Sequence, residues 1–79
     1  MELQEVYERL TQVMQDVFDD DDLIATPELT AADVDGWDSL KHIRLVLSVE
    51  KAFHISFSAA EVGNLKTVGD LAQLIRKKT

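Results

Sequence analysis

Ser39 is the residue of this 79-residue chain whose setting most suggests chemistry. It lies between Asp38 and Leu40, and His42 follows three residues later. Serine, histidine and aspartate are the components of a nucleophilic triad. Because Asp38 adjoins the serine, it cannot orient the imidazole of His42 from its far side, and the Gly-x-Ser-x-Gly elbow of many hydrolases is absent. The pattern argues against a catalytic nucleophile and favours a serine that is itself modified.

A helix cap is the simplest alternative role for this segment. Asp38 or Ser39 at the start of the helix that follows would accept hydrogen bonds from free amides and contribute about 0.5–2 kcal/mol. That role does not explain the long loop before the serine or the wide apolar face of the helix after it. A helical interaction domain in which Ser39 only caps a helix therefore stays open as the alternative, and an enzyme ranks third.

Metal chemistry is not indicated by the acidic and histidine residues. Residues 19–22 are four adjacent aspartates, which lack the alternating ligands, turn glycine and distal glutamate of a calcium loop. His42 and His54 have no ligand spacing to each other, and we expect His54 at the surface where a helix ends. The chain has no cysteine for a disulfide or a thiolate site. Trp37 is expected to anchor its loop by burying its ring, with an interface role as the alternative.

The composition describes one small acidic domain. Fifteen acidic and eight basic residues give a formal net charge of −7, which disfavours nucleic-acid binding and favours encounter with basic protein surfaces. Apolar residues make up 46% of the chain, as in globular proteins. No apolar run is long enough for a membrane span, and no leader pattern opens the chain. We expect a cytoplasmic monomer with a single domain over residues 1–79.

Two helices joined by a long loop are predicted for residues 2–53. Apolar residues at steps of three and four give residues 2–18 one apolar helical face. This helix should end near Phe18, because four further aspartates in its last turn would be repelled by the negative end of the helix dipole. The apolar residues of segment 19–38 follow neither a helical nor a strand period, so this segment is predicted to be a loop. Loops of this length in compact domains are often functional. Its apolar residues are expected to fix it to the core: Leu23, Ile24, Leu29 and Val34.

The second helix, predicted over residues 39–53, has more apolar surface than burial on one side requires. One strip consists of Leu45, Val46, Val49 and Phe53. An adjacent strip consists of Leu40, Ile43 and Leu47. Either the fold covers both strips, or the second strip is exposed for a partner.

Capping signals predict two more helices. Ser58 and Glu61 fit a capping box that opens a short helix over about residues 59–64. Thr67 and Asp70 open the last helix in the same way. Its final basic residues, Arg76, Lys77 and Lys78, complement the helix dipole. The predicted fold is all-α, a four-helix bundle of three long helices and one short helix, with a long loop between the first two.

Residues 36–40, Gly-Trp-Asp-Ser-Leu, and the apolar pattern that follows them resemble acyl or peptidyl carrier proteins. Asp-Ser-Leu alone is a weak signal. Chain length, helix order, acidity and a phenylalanine at the end of the second helix agree with it, so the likeness covers nearly the whole chain. The matching positions after the motif are Ile43, Leu45, Val46, Glu50, Phe53, Ile55 and Phe57.

This resemblance implies a covalent cofactor and no catalysis by the chain itself. Ser39 would carry 4′-phosphopantetheine, transferred from coenzyme A by a phosphopantetheinyl transferase, and the thiol of the cofactor would hold an acyl or aminoacyl group as a thioester. The other implied partners are a loading ligase and a downstream synthase or transferase. The resemblance places partner recognition at Trp37, Asp38, Leu40, Ile43, Arg44 and Leu47.

Two basic residues depart from the pattern of carriers in housekeeping fatty-acid synthesis. Those carriers resemble one another in an acidic residue after Ser-Leu and in further glutamates along the second helix, where this chain has Lys41 and Arg44. Trp37 before the motif is similar to carriers of polyketide, nonribosomal, lipopolysaccharide or aminoacyl pathways. The resemblance thus implies a specialised stand-alone carrier, with a housekeeping fatty-acid carrier as the alternative.

Overall fold

A computed structural model describes residues 1–79 and contains four α-helices and no β-strand. Helix α1 spans Leu3–Phe18, α2 spans Ser39–Phe53, α3 spans Ala59–Gly63 and α4 spans Val68–Lys78. The predicted all-α fold of three long helices and one short helix is confirmed. None of the helices is both long enough and apolar enough to cross a membrane.

The core lies where α1 packs against α2 and α4. The helical spacing of apolar residues on each of these helices turns one face inward, as predicted. The completely buried residues come from all three helices: Val6, Leu10, Met14, Leu45, Val49, Val68, Ala72 and Ile75. Phe57, which follows α2, is half-buried and packs against this core. The sequence therefore identified the core strip of each long helix.

Helix α1 ends at Phe18, the predicted position. Asp19 adopts a left-handed conformation with φ of 51°, and the N–H groups of Asp19 and Asp20 both donate to the carbonyl oxygen of Gln15. This geometry satisfies the Gln15 carbonyl in the last turn of the helix. The aspartates thus begin the loop and do not extend the helix.

The loop between α1 and α2 is held by hydrogen bonds from its backbone. The Ala25 N–H donates to the Thr11 hydroxyl at 3.0 Å, and the Gln15 side chain donates to the carbonyl oxygen of Leu23 at 2.9 Å. Leu23 and Leu29 pack against the core and Val34 is buried, as predicted. The prediction for Ile24 was wrong, since its side chain is 63% exposed. These backbone bonds turn the side chain of the next residue, Ala25, inward instead.

The loop also caps the start of α4. The Val68 N–H donates to the carbonyl oxygen of Leu29 at 2.8 Å, and the Gly69 N–H donates to that of Pro27 at 3.1 Å. One turn of 3₁₀ helix, Ala31–Asp33, follows this contact. The loop is thus more ordered than predicted, because its carbonyls satisfy amides that open another helix.

The predicted capping boxes at the starts of α3 and α4 are confirmed. The Glu61 N–H donates to the Ser58 hydroxyl while the Glu61 carboxylate accepts from the Ser58 N–H, and Thr67 and Asp70 repeat this exchange. Helix α3 ends at Gly63, one residue earlier than expected. These reciprocal bonds define both helix starts because they satisfy amides that have no partner inside the helix.

Candidate functional site

Ser39 is the first residue of α2, and its side chain is exposed. Asp38 is the N-cap, and its carboxylate accepts a hydrogen bond from the Lys41 N–H at 2.9 Å. The Ser39 hydroxyl forms no hydrogen bond within the protein. Of the two capping candidates, the structure selects Asp38 and leaves the serine hydroxyl free.

A tight turn delivers the chain to Ser39. The Trp37 N–H donates to the carbonyl oxygen of Val34, whose side chain is buried. Gly36 has a φ of 82°, a left-handed conformation that glycine adopts without steric cost. The loop is therefore fixed immediately before the serine, and the serine itself lies at the surface.

Trp37 anchors this turn, as predicted. Its ring is half-buried and packs against Phe18 at a centroid distance of 5.3 Å. It also stacks on His42 at 6.1 Å and donates its indole N–H to Nδ1 of that imidazole at 3.2 Å. Trp37 thereby links the end of α1 to the first turn of α2.

Neither of the two possible catalytic partners of Ser39, Asp38 and His42, is placed to act on its hydroxyl. The Asp38 carboxylate is engaged by the Lys41 amide, and Nδ1 of His42 is engaged by Trp37. A triad requires the histidine to accept the serine proton while an aspartate orients its other nitrogen. Neither relationship is present, so the site is not arranged for nucleophilic catalysis.

A cavity of about 90 Å³ lies beside the first turn of α2. It separates the 3₁₀ turn and Trp37 from the segment that enters α4. Its walls come from Ala31, Trp37, His42, Leu65, Lys66, Thr67, Val68 and Leu71. An engineered protein cavity that binds benzene has a volume of about 150 Å³, so this cavity holds only a small group unless the helices move.

The second apolar strip of α2 is exposed, so the fold does not cover both strips. Leu40, Ile43 and Leu47 are 66%, 55% and 59% exposed. Arg44 and Asp38 are exposed beside them. Five of the six residues expected to recognise partners therefore share one open surface with Ser39, while Trp37 is half-buried beneath it.

Two charged residues of α2 have roles inside the fold that sequence reasoning missed. The Lys41 ammonium donates to the carbonyl oxygen of Val17 at 3.1 Å, and the Glu50 carboxylate accepts from the Phe57 N–H at 2.8 Å. A signal for the first was available, because the last turn of α1 has no basic residue of its own. No sequence spacing signals the contact of Glu50, since it depends on how the chain turns after α2.

Comparison with known families identifies the chain. The sequence model of the family described as "Phosphopantetheine attachment site" matches residues 8–75. The chain belongs to this phosphopantetheine-attachment family. The predicted family is therefore confirmed, and so is the predicted cofactor, a covalently attached phosphopantetheine.

Individual relatives of the phosphopantetheine-attachment family agree with this assignment. An acyl carrier protein of Caulobacter vibrioides is 29% identical over 77 residues, which cover 98% of this chain and 99% of the relative. An acyl carrier protein of Onion yellows phytoplasma is 48% identical over 44 residues, 56% of this chain. That match spans 58% of the phytoplasma protein's length, little more than half of it.

A solved structure extends the similarity to the fold. The holo acyl carrier protein of Geobacter metallireducens, determined in solution by NMR, superposes with a TM-score of 0.88. It is 45% identical in sequence, and the match covers 92% of this chain and 84% of that protein. Acyl carrier proteins carry groups and do not catalyse reactions, so the family also confirms the expectation that the chain is not an enzyme.

Proposed function

We propose that Ser39 is the phosphopantetheine attachment residue and that the chain carries acyl or aminoacyl groups between enzymes. The observation that carries this proposal is the exposed, unbonded hydroxyl of Ser39 in a chain of this family. The serine opens a 15-residue helix, whose N-terminus has free amides and a partial positive charge that favour a bound phosphate. Residues 1–79 then act as a single carrier domain.

The attachment step requires only an accessible hydroxyl from this chain. The Ser39 oxygen forms a phosphodiester bond with the phosphorus of coenzyme A that bears the pantetheine. The bond from that phosphorus to the adenosine bisphosphate breaks, and the serine proton passes to a base of the transferase. Phosphopantetheine supplies a terminal thiol that holds the cargo as a thioester. The chain itself has no cysteine and therefore no thiol of its own.

The proposed partners are a phosphopantetheinyl transferase, a loading ligase and a downstream synthase or transferase. The open surface formed by Asp38, Leu40, Ile43, Arg44 and Leu47 is the proposed contact area for them. The net charge of −7 supports the absence of nucleic acid among the partners. A monomer in the cytoplasm is the proposed working state.

We further propose that the pathway is a specialised one and not housekeeping fatty-acid synthesis. Lys41 does not support a specialised pathway, because its ammonium group donates to the carbonyl oxygen of Val17 and is not free to contact a partner. The support comes from Arg44, which is exposed on α2, and from Trp37 before the motif. Exposed charges on a docking surface select partners more than they set affinity.

Intact mass measurement tests the attachment. The chain is incubated with coenzyme A and a phosphopantetheinyl transferase of broad specificity, and its mass should rise by one phosphopantetheine group. Ser39→Ala should abolish the gain, whereas Ser56→Ala, a change at another exposed serine, should preserve it. A chain that gains no mass, or one that still gains it with Ser39→Ala, contradicts the proposal and favours a plain interaction domain.

The choice of pathway is tested with Arg44→Glu. A housekeeping synthase that binds acidic carriers should process the loaded wild-type chain poorly and the Arg44→Glu chain better. Arg44→Gln is the control, since it removes the cation without adding an acid. No gain in turnover with Arg44→Glu counts against a specialised carrier.

A further inference from the structure

The exposed face of α2 has the opposite charge to the rest of the chain. The whole protein has a formal net charge of −7, but the exposed charged residues of α2 are Arg44 and Lys51. The helix has a single carboxylate, that of Glu50. This carboxylate is half-buried and binds the Phe57 N–H. The outward face of α2 is therefore apolar and cationic.

The two cations and the exposed apolar residues lie on the same side of the helix. At 100° per residue, positions 40, 43, 44, 47 and 51 of α2 fall within an arc of about 100°. Arg44 and Lys51 occupy one margin of this arc, and Ile43 the other. We call these five residues, Leu40, Ile43, Arg44, Leu47 and Lys51, the α2 docking face.

The fold does not neutralise these cations. The protein forms two ion pairs within 4 Å, Arg9 with Glu5 and Lys78 with Glu61, and neither involves the docking face. Asp16 of α1 lines the same shallow groove as Lys51 without forming an ion pair. The charges of the docking face therefore remain available to a partner.

We propose that the α2 docking face binds a protein surface that presents an apolar depression bordered by carboxylates. This rests on the proposed carrier function, and it reverses the basic partner surface that the net charge alone would predict. Along the helix axis, Arg44 lies about 7.5 Å from Ser39 and Lys51 about 18 Å, which sets where the carboxylates must lie. At physiological salt, charges more than about 8 Å away are largely screened, so Arg44 and Lys51 outweigh the distant acidic residues, and the exposed Asp38 acts only at the Ser39 end of the face.

Two synthetic helical peptides test this proposal. Both have the same leucine stripe, flanked by glutamates in one peptide and by lysines in the other. Each is titrated into the isotope-labelled protein at about 150 mM and about 500 mM salt, and amide NMR shifts of α2 are recorded. The glutamate peptide should bind about three- to tenfold more tightly at the lower salt concentration, and the difference should shrink at the higher one.

A matched pair of charge reversals separates the local effect from net charge. Arg44→Glu with Lys51→Glu should reverse the preference, while Arg76→Glu with Lys77→Glu, the same charge change in the last turn of α4, should preserve it. Tighter binding of the lysine peptide, equal binding of both, or no shifts along α2 overturns the proposal. Failure of Ser39 to be loaded instead refutes the carrier function, so the two failures are distinguishable.

Discussion

The ammonium of Lys41 in the first turn of α2 donates to the carbonyl oxygen of Val17 in the last turn of α1, at 3.1 Å. Helix α1 has no basic residue in its last turn, and residues 19–22 that follow are all aspartate. A cation at a helix C-terminus donates a hydrogen bond to a free carbonyl and is attracted to the negative end of the helix dipole. Lys41 thus supplies from α2 what the sequence of α1 lacks.

Replacement of Lys41 should therefore reduce stability. Lys41→Met keeps an unbranched apolar side chain and removes the cation, so it should lower the free energy of unfolding by about 1 kcal/mol. Urea denaturation measures the change. Arg44→Met is the matched control, because Arg44 is exposed and forms no hydrogen bond or ion pair. Equal losses in both variants would show that the Val17 contact has no energetic role.

Asp38 should contribute to stability, whereas its neighbour Ser39, the proposed site of modification, should not. Asp38 accepts from the Lys41 N–H, so Asp38→Ala should cost about 0.5–2 kcal/mol of unfolding free energy. Ser39→Ala should change stability by less than about 0.5 kcal/mol, because the serine hydroxyl has no partner in the protein. Thermal and urea unfolding of the unloaded chains measure both. A larger loss of unfolding free energy in Ser39→Ala would indicate that the serine caps the helix.

Gly69 should not tolerate a methyl group. A Cβ atom at this position would lie 2.8 Å from the carbonyl oxygen of Pro27, the acceptor that the Gly69 N–H uses. Gly69→Ala should therefore push the loop from the start of α4 and cost about 1–3 kcal/mol, whereas Gly63→Ala meets no atom within 4 Å. Denaturant midpoints compare the two. A neutral Gly69→Ala would show that the loop moves freely.

Acid should weaken the cap of α4 through Asp70. The N–H groups of Lys66 and Thr67 both donate to its carboxylate at 3.1 Å, and these bonds lower the pKa of Asp70 below its ordinary value of 3.8. Because the folded-state pKa is the lower one, the stabilisation is complete above about pH 3.8. It is lost as the pH falls through the folded-state value.

Asp70→Asn tests this dependence. At pH 7 the variant should melt at a lower temperature than wild type, and at about pH 2 the two should differ less, because Asp70 is then protonated. Asp35→Asn, at an exposed carboxylate without a hydrogen bond, is the control and should show no such convergence. Melting temperatures that differ equally at both pH values would contradict the role of the charged cap.

Local signals in the sequence were sufficient for the four α-helices and, to within one residue, for their predicted boundaries. The spacing of apolar residues defined the long helices, and Ser58 with Glu61 and Thr67 with Asp70 marked two helix starts. These features depend on residues within one or two turns of each other, so no distant contact is needed to recognise them. Ile24 was misplaced for the opposite reason, since its exposure follows from a bond between Ala25 and Thr11 fourteen residues away.

The sequence by itself determined the family and the helix that Ser39 begins. Motif residues 36–40 are contiguous, so their identity is independent of packing. Only the tertiary structure decided which α2 charges are free: Lys41 faces α1, Glu50 faces the segment after α2, and Arg44 and Lys51 remain outside. The physical reason is that a charge acts on a partner only if the fold leaves it unbonded and exposed, and contacts between distant segments settle that.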